Sequence, residues 1–173
     1  MTHQELAKKI DAICHLKGDF LLRSGTRSAD YFDKYRFESQ PLLLKEIAEQ
    51  MKNLIPKNVD ALAALEMGGI PIGTALSLAT GLPCAFIRKT AKDYGTCQYA
   101  EGIEVKGKKL CIIEDVITSG GQVLLSASDL RKSGATVDHV LCVINRGGQD
   151  AEIKLKAAHL TLANLFIRSD FGK

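Results

Sequence analysis

An α/β fold, with a doubly wound and mainly parallel sheet flanked by helices, is what the pattern of this chain predicts. Short apolar runs of strand length alternate with longer stretches whose apolar residues recur at helical spacing. One run, Leu110 to Ile113, leads through Glu114 and Asp115 into a glycine loop and then a helical pattern, the strand-loop-helix unit from which parallel sheets are assembled. The 173 residues are enough for one domain with a real core and too few for two, so 1–173 reads as a single unit. No repeat, low-complexity tract or linker divides it.

Thr2-x-x-Glu5 is a capping box, and Leu6, Ile10, Ile13 and Cys14 follow at helical spacing, which predicts an amphipathic helix ending near Gly18. Phe20 to Arg23 and Tyr31 to Tyr35 are two short β-capable runs joined by the polar turn Ser24 to Ser28, hence a hairpin with aromatics at one end. Ser39 and Pro41 open a second helix, with Leu43, Leu44, Ile47, Met51 and Leu54 on one face and a stop near Pro56. Beyond it, strands are predicted at Asp60–Leu65, Pro83–Ile87, Lys109–Glu114, Val137–Ile144 and His159–Ile167. Helices are predicted from the Gly68-Gly69-Ile70-Pro71 loop to about Thr80 and from Gly121 to Lys132, with a short helical or irregular piece before the last strand. Arg131 and Lys132 sit at the negative end of the second of these helices.

Composition excludes several function classes. Charged residues make up 25% and hydrophobic residues 46%, the balance of a soluble globular domain, and the net charge of +3 is too mild to argue for a nucleic-acid partner. Five cysteines (Cys14, Cys84, Cys97, Cys111, Cys142) form no C-x-x-C pair, and four scattered histidines lack ligand spacing, so neither a disulfide framework nor a protein-built metal site is expected. MTHQELAKK has no apolar signal core and no stretch approaches membrane-spanning length, so the expected location is the cytoplasm, without membrane contact.

The chemistry concentrates after Leu110. Thr118-Ser119-Gly120-Gly121 supplies hydroxyls and permissive backbone, and the amides there, with a helix amino terminus behind them, make a cradle for an anion such as a phosphate monoester. Glu114 and Asp115 would repel a phosphate set directly on them, so they are better suited to accept hydrogen bonds from the hydroxyls of a sugar carried by it. The ligand implied is a ribose 5-phosphate. There is neither a G-x-x-x-x-G-K-[ST] nor a G-x-G-x-x-G motif in the chain. In a doubly wound sheet the ligand lies beyond the carboxyl ends of the strands, where the loops Glu66–Pro71, Arg88–Tyr99 and Glu114–Gln122, and then Arg146, are expected to converge.

The apolar run, acid pair and T-x-G-G closely resemble the phosphoribosyl-pyrophosphate (PRPP) signature of the type I phosphoribosyltransferases. Two further segments resemble the orotate phosphoribosyltransferases among them. Arg88-Lys89-Thr90-Ala91-Lys92-Asp93-Tyr94-Gly95 matches their R-K-x-x-K-D-H-G flap, with Tyr94 in place of the histidine, and G-D-F-L-L-R-S-G-x-x-S-x-x-Y-F-D matches their amino-terminal hood. The resemblance implies a hood over about residues 1–36 on a core over about 37–173. It implies PRPP contacts at Gly68, Gly69, Arg88, Lys89, Lys92, Tyr94, Glu114, Asp115, Val116, Ile117, Thr118, Ser119, Gly120, Gly121 and Gln122, with Lys92, Glu114 and Asp115 catalytic. Orotate contacts fall on Arg23, Tyr31, Phe32, Thr118 and Arg146. Magnesium is implied as the cofactor, held mainly by PRPP oxygens and water rather than by protein ligands. A homodimer with shared sites is also implied, and so is the reaction of orotate with PRPP to give orotidine 5′-monophosphate and pyrophosphate. Gly68 stands where many bacterial members carry lysine, and Asn145 where they more often carry aspartate. A phosphoribosyltransferase for another base and a PRPP-binding regulator are the alternatives.

Overall fold

The computed structural model describes residues 1–22, 25–90 and 99–172. Two β-sheets are present among them: an antiparallel pair, and a six-stranded sheet of order β5-β4-β3-β6-β7-β8. The first is the expected hairpin, β1 (His15–Leu21) against β2 (Arg27–Phe32). In the second, β3 (Ala61–Leu65), β4 (Cys84–Ile87), β6 (Lys109–Ile117), β7 (Thr136–Asn145) and β8 (Thr161–Ile167) pair in parallel. Only the two-residue β5 (Ala100–Glu101), against β4, runs antiparallel. The strand order reverses at β3 and β6, which is where such a sheet opens a crevice.

Helices cover both faces. α1 (His3–Cys14) starts at the predicted capping box, Thr2 Oγ1 accepting from the Glu5 N–H at 3.2 Å and Glu5 Oε2 from the Thr2 N–H at 2.8 Å. With α3 (Pro41–Met51) and α4 (Gly69–Thr80) it buries Leu6, Ile10, Leu43, Ile47, Met51, Ile72 and Leu76 against one side of the sheet. On the other side α5 (Gly121–Lys132) and α6 (Gly148–Ala157) bury Val123, Leu130 and Leu155. Arg131 reinforces that layer by donating to the carbonyls of Val137 and Ala158 at 3.1 and 3.0 Å. No helix among the described residues is long and apolar enough to cross a membrane.

Three expectations need correction. α1 ends at Cys14 rather than near Gly18, because the chain turns into β1 at His15 and Gly18 lies within that strand, at its register shift. The second run of the hairpin stops at Phe32, and Tyr35–Glu38 is instead a one-turn helix, α2, that buries Phe37 and Glu38. β6 continues three residues past Glu114, since Val116 and Ile117 pair with Ile144 and Asn145 of β7. The acid pair therefore lies inside a strand.

Candidate active site

At the carboxyl ends of β3 and β6 lies a cleft of about 390 Å³ lined by Lys34, Tyr35, Glu66, Met67, Lys89, Glu114 and the run Val116 to Val123. Its floor is the loop between β6 and α5. Gly120 adopts φ +74°, a conformation that L side chains rarely take, and so turns the chain into the first turn of α5, whose residues Gly121, Gln122 and Val123 line the cleft. The predicted cradle residues Val116, Ile117, Thr118, Ser119, Gly120, Gly121 and Gln122 are all brought together here.

Strand geometry gives the two acids different surroundings, because consecutive side chains leave a strand in different directions, although their carboxyls still meet. Glu114 lines the cleft, whereas Asp115 is fully buried. Asp115 points to the start of α4, where a Cβ on Gly68 would fall 1.6 Å from its Oδ2 and 3.0 Å from Glu38 Oε1. Gly68 is needed there for space: its φ of −67° suits any residue. Gly68 and Gly69 are buried beneath the cleft, and Glu66 and Met67 of the same loop form its wall.

Above Asp115 sits Lys34, its Nζ 2.5 Å from Oδ2 but off the hydrogen-bond direction. Burial opposes the lysine's charge, yet Asp115 and Glu114 beside it outweigh that and raise its pKa. Burial would likewise raise Asp115, but contacts with Glu114, Glu38 and Lys34 hold its carboxyl below the usual range. The other two acids move the opposite way. Burial, and then the Asp115 carboxylate, push Glu38 up to about 9 and Glu114 up to about 9. Neither Lys34 nor Glu38 was among the predicted site residues. Their i,i+4 spacing reads in sequence as an ordinary surface pair, and it is the packing of α2 against α1 and α3 that brings them beside Asp115.

The basic flap is rooted at the cleft. The Arg88 N–H donates to the Tyr99 carbonyl at 3.0 Å, closing its base, and the Lys89 N–H donates to Glu66 Oε1. Tyr99 is tied to α5 through its hydroxyl, 2.9 Å from Ser126 Oγ. Lys89 lines the cleft and Arg88 is half-buried behind it. Lys92 and Tyr94 lie outside the described residues, as does Arg23 of the hairpin.

The remaining base-recognition candidates are divided. Thr118 lines the main cleft, while Phe32 and Arg146 line a neighbouring hollow of about 150 Å³ with His15, Ile144, Arg168 and Phe171. The Arg146 guanidinium lies 5.6 Å from the centroid of Phe32. The two hollows share a wall, since the N–H groups of Arg146 and Gly147 donate to Ile117 O at 2.8 and 3.1 Å. Tyr31 lines neither hollow; it is 41% exposed on the hairpin, with Phe20 at 5.4 Å. Asn145 caps the turn into α6, accepting from the Gly148 N–H at 2.9 Å and donating to Glu152 at 3.0 Å, which accounts for a buried amide at that position.

A family profile described as "Phosphoribosyl transferase domain" matches residues 36–165. An orotate phosphoribosyltransferase of a Nocardioides species is 51% identical over 141 residues, spanning 82% of this chain and 79% of its own. That of Methanosarcina mazei is 39% identical over 172 residues, spanning 98% and 91%. Among solved structures, Mycobacterium tuberculosis orotate phosphoribosyltransferase in complex with Fe(III) dicitrate superimposes with a TM-score of 0.88 at 26% identity, covering 99% of each chain.

Proposed function

Because the chain belongs to the phosphoribosyl transferase family, and its similar relatives there are orotate phosphoribosyltransferases, we propose that it transfers the 5-phosphoribosyl group of PRPP to orotate, giving orotidine 5′-monophosphate and pyrophosphate. The observation that carries the reading is the switch-point cleft, in which Glu114 of the acid pair, a hydroxyl-bearing glycine loop and a helix amino terminus line a single space.

In this reaction the bond from the anomeric carbon to pyrophosphate breaks as one to the pyrimidine nitrogen forms, through a ribosyl group with cationic character. The protein's task is to align the reactants and stabilise separated charge. The amides and hydroxyls of Thr118 to Gln122 take the 5′-phosphate. Glu114 accepts or donates to a ribose hydroxyl, and Asp115, ionised just beneath, opposes the positive charge developing on the sugar. Arg88, Lys89 and Lys92 meet the departing pyrophosphate, and Tyr94 is assigned to PRPP with them. The pyrimidine lies between Thr118 and the Phe32–Arg146 hollow, where the planar Arg146 fork faces its carboxylate; for Arg23 and Tyr31 the orotate role rests on the resemblance of the hood segment alone.

Magnesium belongs on PRPP oxygens and water, where it screens the pyrophosphate charge, because a hydrated Mg²⁺ prefers phosphate oxygens to an all-protein cage. The homodimer with flaps shared between sites, and a cytoplasmic location, are parts of the same reading and are supported by the family alone. Sedimentation velocity checks the first, with a single species at twice the chain mass expected. The substrate assignment is tested by following PRPP-dependent consumption of orotate, uracil and hypoxanthine in parallel. Orotate alone should be consumed; turnover of hypoxanthine or uracil instead would redirect the assignment to another base.

A further inference from the structure

We propose that Lys34 and Glu38 are positioning residues for Asp115, converting the acid pair into a charge-balanced cluster beside which a polyanionic donor can bind. The inference rests on the PRPP reading of the cleft and concerns side chains outside both the loop and the acid pair.

Three carboxyls, Glu38, Glu114 and Asp115, are each at most 9% exposed and crowd around one ammonium, that of Lys34. Were all three ionised, the cluster would carry 1 − 3 = −2 in a desolvated corner next to the site of a polyphosphate, and both burial and mutual repulsion oppose that state. The geometry offers a remedy. Glu38 Oε1 is buried with no donor among the described residues, and its carboxyl meets that of Asp115. A proton held between them satisfies the orphaned oxygen, and a second proton on Glu114, buried against the same Asp115 carboxyl, leaves Asp115 the single anion, opposite Lys34. The raised pKa values of Glu38 and Glu114 and the lowered one of Asp115 agree with that distribution. The cluster is then neutral near pH 7 and gains negative charge as the two acids ionise.

Other titratable groups face the cluster from the elements around it: Tyr35 from α2, Cys14 from α1 and Cys142 from β7. Burial raises both thiols, Cys14 up to about 12, so neither adds charge over the working range. Gly68 completes the arrangement, because a side chain there would occupy the space in which Asp115 and Glu38 meet.

Calorimetric titration with PRPP and magnesium from about pH 7 to 10 tests this on wild type, Glu38→Gln, Lys34→Met and Lys34→Arg, each first checked for a cooperative thermal transition. Wild-type affinity should weaken by at least about tenfold as the pH passes the two carboxyls. In E38Q, whose amide keeps the hydrogen bond and has no proton to lose, the weakening should be smaller. K34M should bind at least about tenfold more weakly throughout, and K34R should recover most of that. If K34M does not fold, the E38Q and K34R profiles decide. A pH profile of E38Q superimposable on wild type, or K34M or K34R data independent of the charge at position 34, would overturn the inference while leaving the PRPP site standing. A wild type that binds no PRPP at any pH removes the site itself.

Discussion

At the residue scale, the account turns on carboxyls with different charges in one site. Asp115 is fully buried yet held ionised, so Asp115→Asn should lower kcat by roughly 10²–10³-fold with little change in secondary structure, measured by initial rates and circular dichroism. Lys92→Ala should fold normally and lose turnover by a similar factor, roughly 10²–10³-fold, since its charge is assigned to the transition state; wild-type rates would take the flap out of the mechanism. The proton on Glu38 also bears on stability. Its folded pKa of about 9 exceeds the ordinary 4.5, so the folded state binds the proton more tightly, and the stability this contributes is lost as pH rises between those values. The melting temperature should therefore fall from pH 5 to 9 more steeply in wild type than in E38Q. Glu114 and Asp115 were legible in sequence because two acids inside an apolar run demand an explanation. Lys34 and Glu38 were not, since nothing in a Lys-x-x-x-Glu spacing distinguishes a buried cluster from a solvated helix face.

At the element scale, the strand-loop-helix unit from Lys109 to Lys132 was readable in its order, its first strand residue and both ends of its helix, but the strand runs on to Ile117, because Val116 and Ile117 pair with β7 where the local pattern suggests loop. The hairpin was readable in kind but not in extent. Gly18 looks like a helix stop and is used inside a strand, and Tyr35 looks like a strand residue and begins the helical turn that carries Glu38 under the site. Burial of Phe37 decides the latter, a tertiary effect that a local pattern does not register. The β3–α4 loop gives the sharpest test at this scale. Gly68→Ala would drive a methyl group into Asp115, so it should destabilise the fold by about 1–3 kcal/mol and weaken PRPP binding, whereas wild-type stability would mean that α4 can shift away without consequence.

At the scale of the whole molecule, the sheet order 5-4-3-6-7-8 places the reversal between β3 and β6, and the loops from both, the flap root and the β7–α6 turn all reach that end. Alternation along the chain predicted this class of fold. It could not predict that base-recognition candidates would divide between a cleft and an adjoining hollow, because that depends on how the hairpin folds back over β7. The lack of a metal-binding cluster among the described residues leads to a further expectation: chelating magnesium should abolish turnover without moving the melting temperature of the ligand-free protein, and a shift would reveal a site in the protein itself. The central claim, that a phosphorylated sugar donor is held by the loop after β6, is tested most directly by the crystal structure of the protein soaked with PRPP. The account predicts the 5′-phosphate on the amides of Thr118 to Gln122 and the ribose hydroxyls at Glu114. Density for PRPP anywhere else on the molecule would contradict it.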